Sequence, residues 1–158
     1  MIKVLIVYYS QTGNTEKMAE FVAEGVREAK GEAILKKVSE ASLDDLQEAD
    51  GIICGSPTHY GHSAGELLRF IDEGVVLHGE LVGKVGGAFV SSHNIGGGNE
   101  TAILALLHSF LVHGMVVQGT ADGDHYGPVS IGIPDTRVKN QCRNLGKRVV
   151  ELAGKLKQ

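Results

Sequence analysis

The chain has 158 residues, 42% of them hydrophobic, and a formal net charge of −4 at pH 7. That is enough for one domain with a full core, too apolar for disorder and too acidic to favour nucleic acid. No apolar run reaches the length of a bilayer span, and the first residues read straight into a strand with no leader pattern, so a cytoplasmic location is expected. Cys54 and Cys142 form no Cys-x-x-Cys pair, and burial as small apolar side chains is their expected role.

Strands and helices alternate along the chain. Residues 2–9 are a near-continuous apolar run, as a strand buried on both faces requires. Residues 15–30 place Met18, Phe21, Val22, Gly25, Val26 and Ala29 on one helical face. Residues 32–38 read as a weaker strand. A short helix follows over 42–48, with Ser42 and Asp45 at capping-box spacing. Residues 51–55 make the third strand. Ser63 and Glu66 repeat the capping-box spacing and open a helix through Leu67, Leu68, Phe70 and Ile71. Residues 85–91 make the fourth strand. Residues 99–112 predict an amphipathic helix with Ile103, Leu106, Leu107, Phe110 and Leu111 on one face. Residues 115–118 are a short fifth strand. A last helix spans 135–156, with apolar positions at 138, 142, 145, 149, 152 and 156. Between them, 119–134 reads as a long glycine-rich irregular loop, the kind that often carries function.

Five such units predict an α/β, doubly wound, five-stranded parallel sheet of order 2-1-3-4-5. Ligands in such sheets bind beyond the carboxyl ends of the strands, where the order reverses. The loops after strands 1, 3 and 4 should converge there.

The loop after strand 1 is Ser10-Gln11-Thr12-Gly13-Asn14-Thr15. Three hydroxyls surround a glycine in a strand-to-helix turn. Backbone N–H groups at the helix start point at an anion, the helix dipole favours its charge, and the hydroxyls donate further bonds. No lysine or arginine lies between Tyr8 and Thr15. Neutral donors in this arrangement suit a terminal phosphate monoester. The loop after strand 3 is Gly55-Ser56-Pro57-Thr58-His59-Tyr60-Gly61, and the loop after strand 4 is Ser91-Ser92-His93-Asn94-Ile95-Gly96-Gly97-Gly98-Asn99-Glu100. A tyrosine there can stack on a planar ring. The three glycines let backbone approach a ligand closely, and their N–H groups can stabilise negative charge.

The phosphate loop resembles the hydroxyl-x-Thr-Gly-x-Thr pattern of flavodoxins. The loops after strands 3 and 4, with His113-Gly114-Met115-Val116 and His125-Tyr126-Gly127-Pro128, are similar to the tryptophan-repressor-binding-protein (WrbA) type of NAD(P)H:quinone oxidoreductase. The resemblance spans about residues 1–130. It implies a flavodoxin-like fold and FMN as cofactor, held by Ser10 to Thr15, by Pro57, Thr58, His59, Tyr60 and Gly61, and by Ser92, His93, Asn94, Ile95, Gly96 and Gly97. It implies a flavin contact from His113, and NAD(P)H and quinone as substrates, with a hydride passing through flavin N5. His78, His93 and Tyr126 are candidates for the substrate side. No side chain is named as catalytic. The resemblance also implies a homo-oligomer, with a tetramer favoured.

Two departures stand out. The phosphate loop is flavodoxin-like rather than the Met-Tyr-Gly-His variant common in the WrbA type. The chain is also shorter and has no tryptophan; Val75-Val76-Leu77-His78-Gly79 stands where that family places one over the flavin. A one-electron carrier, a flavodoxin in the strict sense, therefore stays open as the rival. So does a flavin-free interaction module. Other motifs fail: Gly79 to Lys84 lacks P-loop spacing, and the histidines have no carboxylate or cysteine at ligand spacing.

Overall fold

The computed structural model describes residues 1–157. Its elements are β1 (Lys3–Tyr8), α1 (Asn14–Glu28), β2 (Glu32–Lys37), α2 (Leu43–Glu48), β3 (Gly51–His59), β4 (His62–Ser63), α3 (Gly65–Glu73), β5 (Val85–Ser92), α4 (Asn99–Val112), β6 (Val116–Val117), β7 (Val129–Ile131) and α5 (Thr136–Leu156). The parallel sheet runs β2-β1-β3-β5-β6, which is the expected order once the small β4 is set aside. β1 is the pivot, pairing Val4 with Ala33 on one side and with Gly51 on the other.

Side-chain alternation on the central strands divides the core into two layers. Val4, Ile6, Ile53 and Phe89 face α1 and α5. Leu5, Val7, Ile52, Cys54 and Ala88 face α2, α3 and α4. Val4 to Val7 are fully buried, each contributing on the order of 2 kcal/mol. Both cysteines are free and buried, and burial pushes the Cys54 thiol up to about 12, so neither supplies a thiolate.

Where the structure departs from the sequence reading, long-range contacts are the cause. The fifth strand is split. β6 pairs with the start of β5 (Val85↔Val116) and β7 with its end (Val90↔Val129), so 119–134 is not all irregular. The intervening loop is tied down by Asp124, which accepts from the Val129 N–H (2.8 Å) and, through both carboxylate oxygens, from Arg137 Nη1 (2.9 Å each). Gly127, at φ +146°, lies so close to the Ala88 carbonyl that a Cβ would sit 2.0 Å from it. β3 continues past Gly55 because Ser56 and Pro57 pair with Val90 and Ser91. The capping box at Ser42 and Asp45 is present, with Asp45 also bound by Lys36 at 2.8 Å. The one expected at Ser63 is not. Ser63 lies in β4 and donates its hydroxyl to the Ala102 carbonyl (2.6 Å), leaving Ala64 as the N-cap. Leu111 is exposed rather than on the packed face of α4. Among the described residues, no helix is long and apolar enough to cross a membrane.

Candidate functional site

The carboxyl ends of β1, β3 and β5 meet as the sheet order requires. Gly13, in the left-handed region at φ +94°, is the N-cap of α1. Its N–H donates to Ser10 Oγ at 3.1 Å, which closes the loop. Asn14 and Thr15 begin the helix, so their N–H groups have no acceptor within it. Thr15 Oγ1 and Ser91 Oγ lie 2.9 Å apart in a buried hydrogen bond that ties the loop to β5. Gln11 and Thr12 are exposed at the rim. Space above Gly13 is open, since an added Cβ would meet nothing within 4 Å.

The one carboxylate beside the loop is already engaged. Glu16 accepts from the Tyr8 hydroxyl (2.7 Å) and faces Lys37 Nζ (3.6 Å). The Tyr8 hydrogen bond, then Lys37, holds the Glu16 carboxyl below its ordinary range. Burial first, then Glu16, pushes the Tyr8 hydroxyl well above its own. Tyr8 therefore stays a donor, and Glu16 stays an acceptor with no part in the anion site.

The second wall is a hairpin that the sequence hid. Thr58 and His59 pair antiparallel with Ser63 and His62. The turn between them is Tyr60 (φ +48°) and Gly61 (φ +84°). Two successive positive φ values make a type I′ turn, normally built on Asn-Gly. Tyrosine in the left-handed region is strained by on the order of 1–2 kcal/mol. Its ring is also fully exposed, at 106% of the reference area. An exposed aromatic held in a strained turn, next in sequence to the cleft-lining His59, suits a ligand contact better than a packing role. Thr101, unflagged by the sequence, fixes this hairpin by donating to the Gly61 carbonyl at 2.6 Å. Gly98, at φ +104°, is the N-cap of α4, and a Cβ there would meet Gly61 Cα at 2.5 Å. Only the adjacency of a glycine turn to a helix-start threonine hints at this clamp.

Gln11, Thr12, Asn14, Thr15, Pro57, Thr58, His59, Ser92 and His93 line one cleft of about 260 Å³. A phosphate monoester and the chain attached to it fit its chemistry: helix-start N–H groups, hydroxyls and amides, with no fixed negative charge. Asn94, Ile95, Gly96 and Gly97 form an exposed turn, closed by Gly97 N–H to the Asn94 carbonyl (3.2 Å). On the far side of that turn lies a second cavity of about 350 Å³. Ile95, Gly96, Ile103, Tyr126, Val129 and Arg137 are among its walls. Tyr126 is thus beside the glycine turn but not in the phosphate cleft.

Two expected residues are elsewhere. α4 starts at the cleft, and its 14 residues carry the chain about 21 Å back to the amino ends of the strands. There the Gly114 carbonyl accepts from Gly83 N–H, just before β5. His113 caps that far end, its ring against Gly74. His78 follows the 3-10 turn Gly74–Leu77 in the α3–β5 connection, at the same end. Neither reaches the cleft of its own chain.

The fold defines a flavodoxin-type α/β protein, with a cleft whose chemistry suits a phosphate monoester. Residues 5–92 match the flavodoxin domain family, and the chain belongs to it. Within it, the chain is similar to the WrbA type. A relative named flavodoxin from Aquifex aeolicus (strain VF5) is 44% identical, covering 96% of this chain and 86% of the relative. A relative named NAD(P)H dehydrogenase (quinone) from Archaeoglobus fulgidus (strain ATCC 49558 / DSM 4304 / JCM 9628 / NBRC 100126 / VC-16) is 34% identical, covering 99% and 100%. That alignment runs over 190 positions, so the relative carries residues this 158-residue chain lacks. The solved structure of a flavodoxin, WrbA-like protein from Agrobacterium tumefaciens superposes with a TM-score of 0.85 at 26% identity, covering 98% of this chain and 99% of that one.

Proposed function

We propose that the protein is an FMN-dependent oxidoreductase carrying two electrons from NAD(P)H to a quinone. The observation that carries this reading over a one-electron carrier is the second cavity. It shares Ile95 and Gly96 with the turn beside the phosphate cleft and is walled by Ile95, Ile103, Val129, Ile131 and Tyr126, with Glu100, Asp124 and Arg137 as its charged groups. A carrier that docks another protein has no use for a small-molecule cavity at that place. When bound, FMN supplies the redox chemistry, accepting a hydride and returning two electrons. The chain's share is binding and orientation. Ser10 to Thr15 hold the phosphate, Tyr60 and Gly61 with Thr58 and His59 form one wall, and Ser92 to Gly97 form the other. No side chain is required as acid or base. Two free, buried cysteines suit a reducing compartment, and a cytoplasmic setting is part of the proposal.

The test is turnover. FMN-loaded protein with NADH and benzoquinone should run at about 1–1,000 s⁻¹, the range of ordinary enzymes. Tyr126→Ala should change the quinone KM more than FMN affinity. Turnover below about 0.01 s⁻¹ with both NADH and NADPH would favour the carrier reading, which the 44% identical relative named flavodoxin also supports.

The assembly belongs to the same proposal. His78 and His113 can serve a flavin only from a neighbouring subunit. Around them lies an exposed apolar surface: Val75, Val76, Val82, Leu111 and Val112. Gly74 joins Val75 to His113, and Gly114 packs on Val82, so the surface is continuous. A second copy covering it suits a homo-oligomer, most simply a symmetric tetramer. Light scattering of the FMN-loaded protein at micromolar concentration should give about four times the 16.8 kDa chain mass. A monomer would overturn the assembly and leave both histidines without a role at the flavin.

A further inference from the structure

The phosphate cleft has an unusual electrostatic composition. None of its lining residues is Asp, Glu, Lys or Arg; its only ionisable side chains are His59 and His93. They come from different elements, the end of β3 and the loop after β5. His59 is half-buried, with Tyr9 edge-on to its ring at 5.9 Å, and His93 is exposed.

The neighbouring charges are occupied elsewhere. On α1, Glu16 is bound by Tyr8 and Lys37, and Lys17 by Glu20. Across the hairpin, His62 pairs with His59 in register. At the start of α5, Asp135 accepts from the Val138 N–H and Arg137 is held by Asp124. On α4, Glu100 lines the second cavity instead. No charged side chain therefore joins the α1 N-terminus in lining the anion site, and the two imidazoles are the titratable groups there.

We propose that His59 and His93 make the grip on the flavin phosphate proton-linked, each gaining a proton as the phosphate dianion enters. The proposal rests on the FMN reading above. Histidine is the side chain whose charge changes most readily around neutral pH. A dianion beside it favours the charged form and raises its pKa in the complex. The affinity gained is full below the free imidazole's pKa and is lost as pH rises through that of the complex. The ligand works in the opposite sense. A phosphate monoester takes up its second proton near pH 6. Helix-start N–H donors favour the dianion, so the monoanion must lose a proton to bind. FMN affinity should therefore pass through a maximum as pH falls rather than reach a plateau.

Equilibrium titration of the apoprotein by flavin fluorescence, with FMN and riboflavin in parallel from pH 5.5 to 8.5 at low salt, tests this. FMN should bind about tenfold more tightly at pH 6.5 than at 8.5, while riboflavin changes less than about twofold. His59→Gln and His93→Gln should each remove part of that slope, and the double variant should remove it all. The double variant should still prefer FMN to riboflavin at pH 8.5, because the loop N–H groups remain. Calorimetry in two buffers at pH 7.5 should show proton uptake on FMN binding by the parent chain and none by the double variant. An FMN preference that is flat above pH 6.5 in the parent, or a slope that survives in the double variant, overturns the proton link and leaves the FMN reading intact. Equal affinity for the two flavins at every pH overturns both.

Discussion

The apoprotein should bind FMN at least about a hundredfold more tightly than riboflavin, a difference of about 2.7 kcal/mol. A hydrogen bond to a charged group contributes about 1.5–3 kcal/mol, so two effective donors in the Ser10–Thr15 loop account for the whole effect. The loop offers more than two. The N–H groups of Asn14 and Thr15 start α1 unpaired within the helix, and Thr12 stands exposed at the rim. Thr12→Val keeps the shape and removes a hydroxyl. It should cost FMN about tenfold and riboflavin less than twofold, read by fluorescence titration. Similar losses for both flavins would mean that Thr12 acts through loop shape and not through the phosphate.

The largest effect on stability is expected at Gly25. α1 and α5 cross with their backbones in contact. A Cβ at Gly25 would lie 2.0 Å from the Arg143 carbonyl oxygen, and one at Gly146 would lie 2.3 Å from that of Val22. Both obstacles are backbone, so the helices must separate. Gly25→Val should cost about 3 kcal/mol or more, since overpacking here also opens the layer formed by Met18, Val22, Leu145 and Val149. Tm should fall by roughly 6–12 °C for a chain of this size. Gly154→Ala is the control on the same helix. Its Cβ would meet only Ile2, at 4.0 Å, and it should add about 0.5–1 kcal/mol through helix propensity. A Tm for Gly25→Val within a degree of the parent would show that the crossing yields easily.

The particular residues explain how much was legible in advance. β1 was readable because five consecutive residues, Val4 to Tyr8, are buried with strands paired on both sides, so that stretch has no interruption to interpret. The strand-to-helix turn at Ser10–Thr15 was readable because a helix start, a glycine and three hydroxyls coincide within six positions. The divided outer strand was not. Two residues in β6 and three in β7 carry no periodicity, and they are held by Asp124, Arg137 and Gly127 from outside themselves. The hairpin at Tyr60 was hidden for a different reason. Proline at 57 argues for a loop, and Tyr-Gly is a poor I′ signal; the pairing depends on β5 and on Thr101. Ser63 had a cap's spacing but found a better acceptor in Ala102. His113 and His78 were assigned by motif alone, and only topology reveals which end of a 14-residue helix a residue occupies.

The split outer strand separates two inheritable parts of the molecule. Everything that lines the phosphate cleft except Gly132 lies before residue 94, and the family match itself stops at Ser92. The outer wall of the second cavity comes instead from residues 123–137. Insertions or deletions between β6 and β7 would reshape that wall while leaving the β1–β3–β5 pairing untouched. On the proposed function, a lineage could therefore exchange one electron acceptor for another by editing a single surface segment, with no renegotiation of how the cofactor is held.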